Sequence, residues 1–317
     1  MSRIAIIGAS GELGYRLVQR LCSRHSIVAI VRRADKRDFA ACVGRDKNET
    51  HTADPPKEDT PKEEPHKIEV RVVRDIGNTN ALCAALDGCD AVINAGYIWF
   101  AQAINEAMAQ CKAPPRHIVF TGSTGIYTRL PSESAQRKRL AEDYIRQHFH
   151  SHWTIIRPTM IYGHKDDRNI SRLVRAVDRL RVFPLIGDGD SLIQPVFIHD
   201  LVKAYEIALL NERCYNRIYD VAGGRAYSNR ELIRCAADSI GKKTLFLPVP
   251  ARLISLAVRL LGRLRLSPIS QEQVLRFQEN KDVDLLPFVD EFKYVPRNFE
   301  QGIGELVHEM KQHGMLR

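Results

Sequence analysis

Short apolar runs alternate with amphipathic stretches of helical period along the first half of the chain. Arg3–Ile7, Ile27–Val31, Ile68–Val73, Asp90–Ala95, His117–Thr121 and Trp153–Arg157 read as strands. Between them lie helical patterns. Glu12–Arg24 carries Leu13, Leu17, Leu21 and Cys22 on one side, and "NALCAAL", "AQAINEAMAQC" and the stretch opening "PSESAQRKRLAED" at Pro131 follow. Strands that are apolar throughout are buried on both faces. Their alternation with helices predicts a parallel sheet built from right-handed strand–helix–strand units.

The second half is less regular. "QPVFIHDLVKAYEIALL" is a short strand running into a helix, with His199 and Asp200 at the helix start. "IYDVAGG" is a strand and turn. "SNRELIRCAADSIG" has Ser228 as N-cap, Glu231 three residues on and Gly241 at the end, the residue types that open and close a helix. "VPARLISLAVRLLGRLRL" predicts a basic amphipathic helix from near Pro250. The expected division is residues 1–165 as one domain and 166–317 as a second, with some segments returning to the sheet. Residues 44–67 contain no large aliphatic or aromatic side chain and are rich in Pro, Lys, Asp and Glu. Such a segment buries too little to offset its ordering entropy, so a mobile polar loop is expected there, with a partner-binding tail as the alternative.

Composition narrows the class. Of 317 residues, 44% are apolar and 27% charged, as in an ordinary soluble globular protein. The formal net charge of +9 favours anionic partners: a phosphate-bearing ligand, a nucleic acid or an anionic membrane surface. No nucleic-acid motif is present, so no nucleic-acid partner is expected. The seven cysteines include no C-x-x-C pair and the eleven histidines no metal spacing, so buried thiols and no metal are expected. No secretory signal and no run long enough to span a bilayer is visible, which gives a cytoplasmic expectation.

The strongest motif is "GASGELG", with Gly8, Gly11 and Gly14 between the first strand and first helix. Glycines there let the backbone turn tightly and approach a pyrophosphate, which the helix N-terminus then attracts. The strand–turn–helix context is what such a motif requires. It predicts a nicotinamide dinucleotide site that includes Ser10, Glu12 and Leu13. The second strand ends in Arg32 and Arg33 where an acidic residue would hold the ribose hydroxyls of NAD. Arginine suits a 2′-phosphate, so NADP is expected over NAD. Asp75 and Ile76 follow the third strand, where an adenine contact or a simple helix cap is expected. Asn94, Ala95 and Gly96 end the fourth strand, where small residues let a cofactor pass.

With these motifs in order, the chain resembles the extended short-chain dehydrogenase/reductase superfamily, of the nucleotide-sugar epimerase/dehydratase type. "GASGELG", "DAVINAG", "IVFTGSTGIY", "RPTMIYG" and "QPVFIHDLVKAY" carry the resemblance, and "SNRELI", "LPVPARLISLAVRLLG" and "YVPRNFEQGI" extend it to nearly the whole chain. It implies an α/β fold: a Rossmann-type doubly wound parallel sheet with a small C-terminal α/β substrate domain. It also implies a bound NAD(P) and a nucleotide sugar or related small molecule as substrate, and it leaves room for a homodimer.

The family's catalytic set is a Ser or Thr, a Tyr and a Lys, the last two four apart on one helix face. Matching gives Ser123, with Thr124 beside it, and Lys138. The tyrosine position is Ser134, and a serine hydroxyl is a poor acid and base near neutral pH. Three readings stay open. Lys138, Tyr127 or a water held by Ser123 supplies the proton; or the chain binds NADPH as a scaffold or sensor without turnover; or the site is degenerate. Pro158, Thr159 and Met160 are expected near the nicotinamide. Asn169, Arg172 and Gln194 are the substrate candidates, with Arg168 and Arg175 as further cations. His199 with Asp200 reads as a relay or, preferably, as a structural pair. The basic helix Ala251–Leu266 offers contact with an anionic membrane as an alternative to ordinary packing.

Overall fold

A computed structural model of the chain describes residues 1–33, 37–39, 42, 67–250, 252–254, 258, 275 and 279–316. The polar segment 44–67 lies outside the described residues except Lys67, and so does most of the basic stretch 251–266.

The chain divides into two compact units. The first comprises Met1–Gly122, Leu140–Ile156 and Tyr205–Ile218. Its strands are β1 (Arg3–Ile7), β2 (Ser26–Val31), β3 (Ile68–Val72), β4 (Ala91–Asn94) and β5 (His117–Thr121), followed by β6 (His152–Pro158), which begins here. Its helices are α1 (Glu12–Leu21), α2 (Thr79–Leu86) and α3 (Ala101–Gln110), with the later turns of α4 (Glu133–His148). With β11 (Arg217–Val221) at one edge, the seven-stranded sheet has the order β11-β6-β5-β4-β1-β2-β3. The pairs β1–β2, β2–β3, β1–β4, β4–β5 and β5–β6 are parallel. This is the doubly wound Rossmann arrangement. The chain runs outward from β1 to β3 and then returns to build β4 to β6 on the other side. The order therefore reverses between β1 and β4, the place where such sheets bind ligands.

Burial explains the apolar runs. β1, β2, β4 and β5 are buried almost throughout, whereas edge strand β3 alternates half-buried and exposed positions. One core joins Ile7, Ile30, Val92 and Phe120 of the sheet to Leu82 of α2 and Ile104 of α3.

His117 on β5 is wholly buried and wired on both ring nitrogens. Leu210 N–H donates to Nδ1 (3.1 Å), so Nε2–H donates to Thr154 Oγ1 (2.9 Å), which donates to Cys214 O (2.6 Å). Burial, with smaller repulsion from His152 and Arg116, pulls its pKa down to about 4. The unfolded chain, with an ordinary histidine near 6.5, then binds the extra proton first. His117 therefore contributes stability that is present above pH 6.5 and lost as pH falls toward about 4. A proton-NMR titration of its ring is expected to show a midpoint near 4, with urea midpoints falling across the same window. A midpoint near 6.5 would contradict this wiring.

The second unit comprises Ser123–Arg139, Arg157–Ala204 and Tyr219–Arg317. It takes the first turns of α4 and returns Tyr205–Ile218 to the first unit, so segments exchange on both sides of residue 165. Its elements are β7 (Ile161–Tyr162), α5 (Ile170–Arg179), β8 (Val182–Ile186), β9 (Leu192–Ile193), β10 (Val196–Phe197) and most of α6 (Ile198–Ala208). After β11 come β12 (Tyr227–Ser228), α7 (Asn229–Ser239), β13 (Leu245–Val249), α8 (Leu286–Phe292) and α9 (Phe299–Gln312). The sequence missed β7, β8, β9, β12 and β13, all of which pair in two-stranded ribbons outside the main sheet. α7 opens with a complete capping box of Ser228 and Glu231. Past its end, Gly241 (φ 70°) carries the turn in which Lys242 N–H reaches Ala237 O (2.9 Å).

Candidate functional site

The glycine loop is built by close backbone approach. Gly8 has φ 80°, and Gly8 N–H and Ala9 N–H both reach Ile30 O, which ties the loop to β2 (3.1 and 3.2 Å). A Cβ on Gly14 would lie 2.3 Å from Gly8 O and 2.8 Å from Ala9 Cα, so α1 rests directly on the loop. A Cβ on Gly8 would lie 3.3 Å from Gly96 N. The turns after β1 and β4 thus meet at the point where the strand order reverses. Asn94, fully buried, fixes the second turn by accepting Gly96 N–H (3.1 Å) and donating to Tyr97 O (3.2 Å). At the first residue of α1, Glu12 accepts from Arg16 (2.9 Å) and pairs with Arg37, which offsets an anion at this helix start.

Beside this loop, Ser10, Arg32, Arg33 and Arg74 line a cavity of about 690 Å³. The sequence pointed to Arg32 and Arg33 and missed Arg74. The parallel register of β2 and β3 (Val31 opposite Val72) brings the two strand ends side by side. All three guanidinium side chains belong to exposed residues. Asp75 accepts Gly77 N–H (2.9 Å), a turn-forming bond that leaves its exposed carboxylate one further oxygen, and Ile76 is buried beneath it. Three arginines, one hydroxyl and glycine-enforced backbone approach make this a basic, close-walled site of the kind that holds phosphate groups.

In the second unit, Ser123 follows β5 and opens a 3₁₀ turn, Thr124–Tyr127, its Oγ accepting Gly125 N–H (3.1 Å). That bond uses an acceptor position and leaves the hydroxyl proton to donate elsewhere. Thr124 Oγ1 donates to Pro158 O (3.4 Å). Arg139 on α4 holds the turn, donating through Nε to Ile126 O (2.9 Å) and through Nη2 to Thr128 O (3.0 Å). Lys138, the preceding residue, is half-buried, and Ser134, one turn earlier, is exposed. Thr159 donates from its backbone to Val221 O (3.0 Å) and from its hydroxyl to Gln194 O. Met160 O accepts Val196 N–H (2.9 Å).

Tyr127 is fixed in its neutral form. Its hydroxyl donates to Asp220 (2.7 Å) and accepts from Arg157 Nη1 (2.7 Å). Partial burial, then the Asp220 hydrogen bond and charge, push its pKa up to about 12. A phenolate base needs the opposite shift, toward a lower pKa. In an ultraviolet difference titration of the wild type against Tyr127→Phe, the tyrosinate signal is expected at about pH 12. Its appearance at the ordinary value near 10 would show that the Asp220 contact does not persist.

The substrate candidates separate. Gln194 is buried and its amide is engaged twice, donating to Gly223 O (2.8 Å) and accepting Val283 N–H (3.0 Å), so it braces loops. Asn169 and Arg172 are exposed at the start of α5. The cap there is Asp167, whose Oδ1 accepts Asn169 and Ser171 N–H (2.9 and 3.0 Å). His199 is exposed, while buried Asp200 accepts the backbone N–H and Nε of Arg297 (both 3.0 Å), a structural ion pair. Among the described residues, no group of three or more His, Cys, Asp or Glu side chains could hold a metal, and no helix is long and apolar enough to cross a membrane.

Known proteins share this fold. A family described as NAD(P)H-binding matches residues 8–180. An N-acetyl-α-D-glucosaminyl-diphospho-ditrans,octacis-undecaprenol 4-epimerase of Escherichia coli O157:H7 is 22% identical, covering 78% of this chain and 76% of the relative. A UDP-glucose 4-epimerase of Vibrio cholerae is 29% identical, but the match spans only 34% of this chain and 33% of that relative's length. Among solved structures, the NADPH-dependent quinone oxidoreductase of E. coli complexed with NADPH has a TM-score of 0.71 at 19% identity, covering 96% of this chain and 99% of that one. The UDP-glucose 4-epimerase of Thermotoga maritima has a TM-score of 0.68 at 12% identity, covering 98% and 99%. This chain belongs to the NAD(P)H-binding family.

Proposed function

We propose that the chain is an NADP(H)-dependent oxidoreductase or epimerase acting on a sugar or related small molecule carried on a diphosphate. The observation that carries the cofactor choice is the cavity lined by Ser10, Arg32, Arg33 and Arg74, whose three cations suit a 2′-phosphate. Gly8, Gly11 and Gly14 would hold the pyrophosphate, with Ser10, Glu12 and Leu13 on the same loop. Asp75 and Ile76 would face the adenine. Asn94, Ala95 and Gly96 would leave room for the chain of the dinucleotide. Pro158, Thr159 and Met160 would border the nicotinamide. When bound, the cofactor supplies a hydride acceptor or donor.

The chain's own residues then have defined tasks. Ser123, with its hydroxyl proton unspent on Gly125, would donate to a substrate oxygen. Thr124 keeps that turn against the end of β6. Lys138 would hold the ribose and move the proton that the family's tyrosine would otherwise carry, because Ser134 cannot. Asp220 and Arg157 would hold Tyr127 protonated and fix the local charge. Asn169 and Arg172 would meet the substrate's diphosphate, the group that carries the sugar in both epimerase relatives.

A second reading, an NADPH-binding scaffold or redox sensor without turnover, draws support from the same pair of facts: serine at position 134 and a tyrosine held protonated. The two separate on label transfer. With NADPH deuterated at C4 of the nicotinamide, the enzyme reading expects deuterium to move to a member of a nucleoside-diphosphate-sugar panel, or tritium exchange at the epimerised carbon. Tight NADPH binding with no label movement across the panel, and none to quinones, would overturn it in favour of the scaffold.

A further inference from the structure

We infer that the ribbon formed by β8 and β13 is a docking surface for an anionic phospholipid bilayer. The two strands pair in parallel, with Val182 opposite Leu245 and Pro184 opposite Leu247. Side chains along a strand alternate between faces. One face of this ribbon turns inward: Leu185 is buried in the core of the second unit, and Phe183 and Phe246 pack against that core. The other face is apolar and bare. Val182 is 47% exposed, Leu245 70% and Leu247 55%, and Leu180 and Leu253, just outside the strands, are 45% and 58% exposed.

A contiguous apolar ladder on a surface marks an interaction site more often than chance exposure does. Its charge identifies the occupant. Arg179, Arg181, Lys243 and Arg252 flank the ladder in sequence and are exposed. Residues 179–187 hold two arginines and no acidic residue, and residues 239–254 hold two lysines, one arginine and no acidic residue. Of these cations, Lys242 is answered within the fold by Asp178 (2.6 Å). The acid-free run continues in the sequence to Gln271, with three further arginines, although the surface itself is defined by the described residues. The acids that border these stretches in sequence are Asp178 and Asp188 for the first and Asp238 for the second, and Asp178 is already held by Lys242. Leucines and valine for the acyl boundary, with cations beside them for the headgroups, is the composition of a surface that lies on an anionic membrane.

The test is flotation of the full chain with vesicles of phosphatidylcholine plus phosphatidylglycerol, and with phosphatidylcholine alone. The wild type is expected to float with the anionic vesicles, to bind neutral ones far less, and to be released in part by high salt. Leu245→Glu/Leu247→Glu should lower the bound fraction by about tenfold or more. Because both side chains are exposed, the variant should keep its far-ultraviolet circular dichroism and melting temperature. Arg181→Glu/Lys243→Glu provides a second variant that leaves the ladder intact, and it should weaken anionic binding alone. Failure of the wild type to float overturns the proposal, as do equal binding by the Leu variant or indifference to lipid charge. So does a wild-type dimer that the Leu variant breaks without any lipid binding, which would assign the ladder to a second copy. None of these outcomes depends on the cofactor or the reaction.

Discussion

Replacing Gly14 with alanine is expected to remove cofactor binding and to destabilise the fold. The added methyl would sit 2.3 Å from Gly8 O and 2.8 Å from Ala9 Cα, both backbone atoms that no rotamer change can move. Either α1 lifts away from β1 or the glycine loop shifts, and each option spoils the loop. Overpacking of this kind costs roughly 1–3 kcal/mol, occasionally more. Because the clash falls on the loop that would hold the pyrophosphate, affinity for NADPH should fall by at least about 100-fold, equivalent to about 2.7 kcal/mol. Gly304→Ala is the control, since a Cβ there meets nothing within 4 Å. Thermal melting and calorimetric titration read both effects. A Gly14→Ala protein that melts and binds like the wild type would mean that α1 does not pack on the loop as described.

The second large effect is expected at Lys138. If it moves the proton, Lys138→Ala should lower kcat by about 10²–10⁴, the range of a single acid–base group. The NADPH dissociation constant should change by less than about tenfold, since the glycine loop and the three arginines remain. Lys138→Arg separates the two tasks of the side chain. Arginine keeps the charge and can hold a ribose, but its pKa above about 12 prevents it from giving up a proton near neutrality. The expectation is restored binding without restored turnover. Full activity in Lys138→Arg would leave Lys138 with a binding role only and move the proton step to a water or to Ser123.

What the sequence could reveal followed the range of the forces involved. Strands β1, β2, β4 and β5 were legible because burial on both faces writes an unbroken apolar run. The glycine loop and the cap of α7 were legible because each is a local backbone requirement met within a few residues. Arg74 was missed because its place beside Arg32 and Arg33 depends on the register of two strands joined by more than thirty residues. The direction of the Tyr127 shift was invisible for the same reason, since Asp220 lies 93 residues away. The bonds of the Gln194 amide to Gly223 O and Val283 N–H join it to residues 29 and 89 positions away, which no local pattern records. The two-residue strands β7, β9 and β12 are too short for any period to register. The exchange of 123–139 and 205–218 between units leaves no compositional mark at all.

The central claim is an intact dinucleotide site that selects the 2′-phosphate with arginine. Calorimetric titration of NADPH and NADH tests it directly, on the wild type, on Arg32→Ala/Arg33→Ala and on Arg74→Ala. The account predicts NADPH binding at micromolar strength or better and NADH weaker by at least about tenfold, the scale of one charge-assisted contact. It also predicts that the double variant loses the preference and that Arg74→Ala weakens it. Binding of neither cofactor, or equal binding of both that the arginine variants leave untouched, would contradict it.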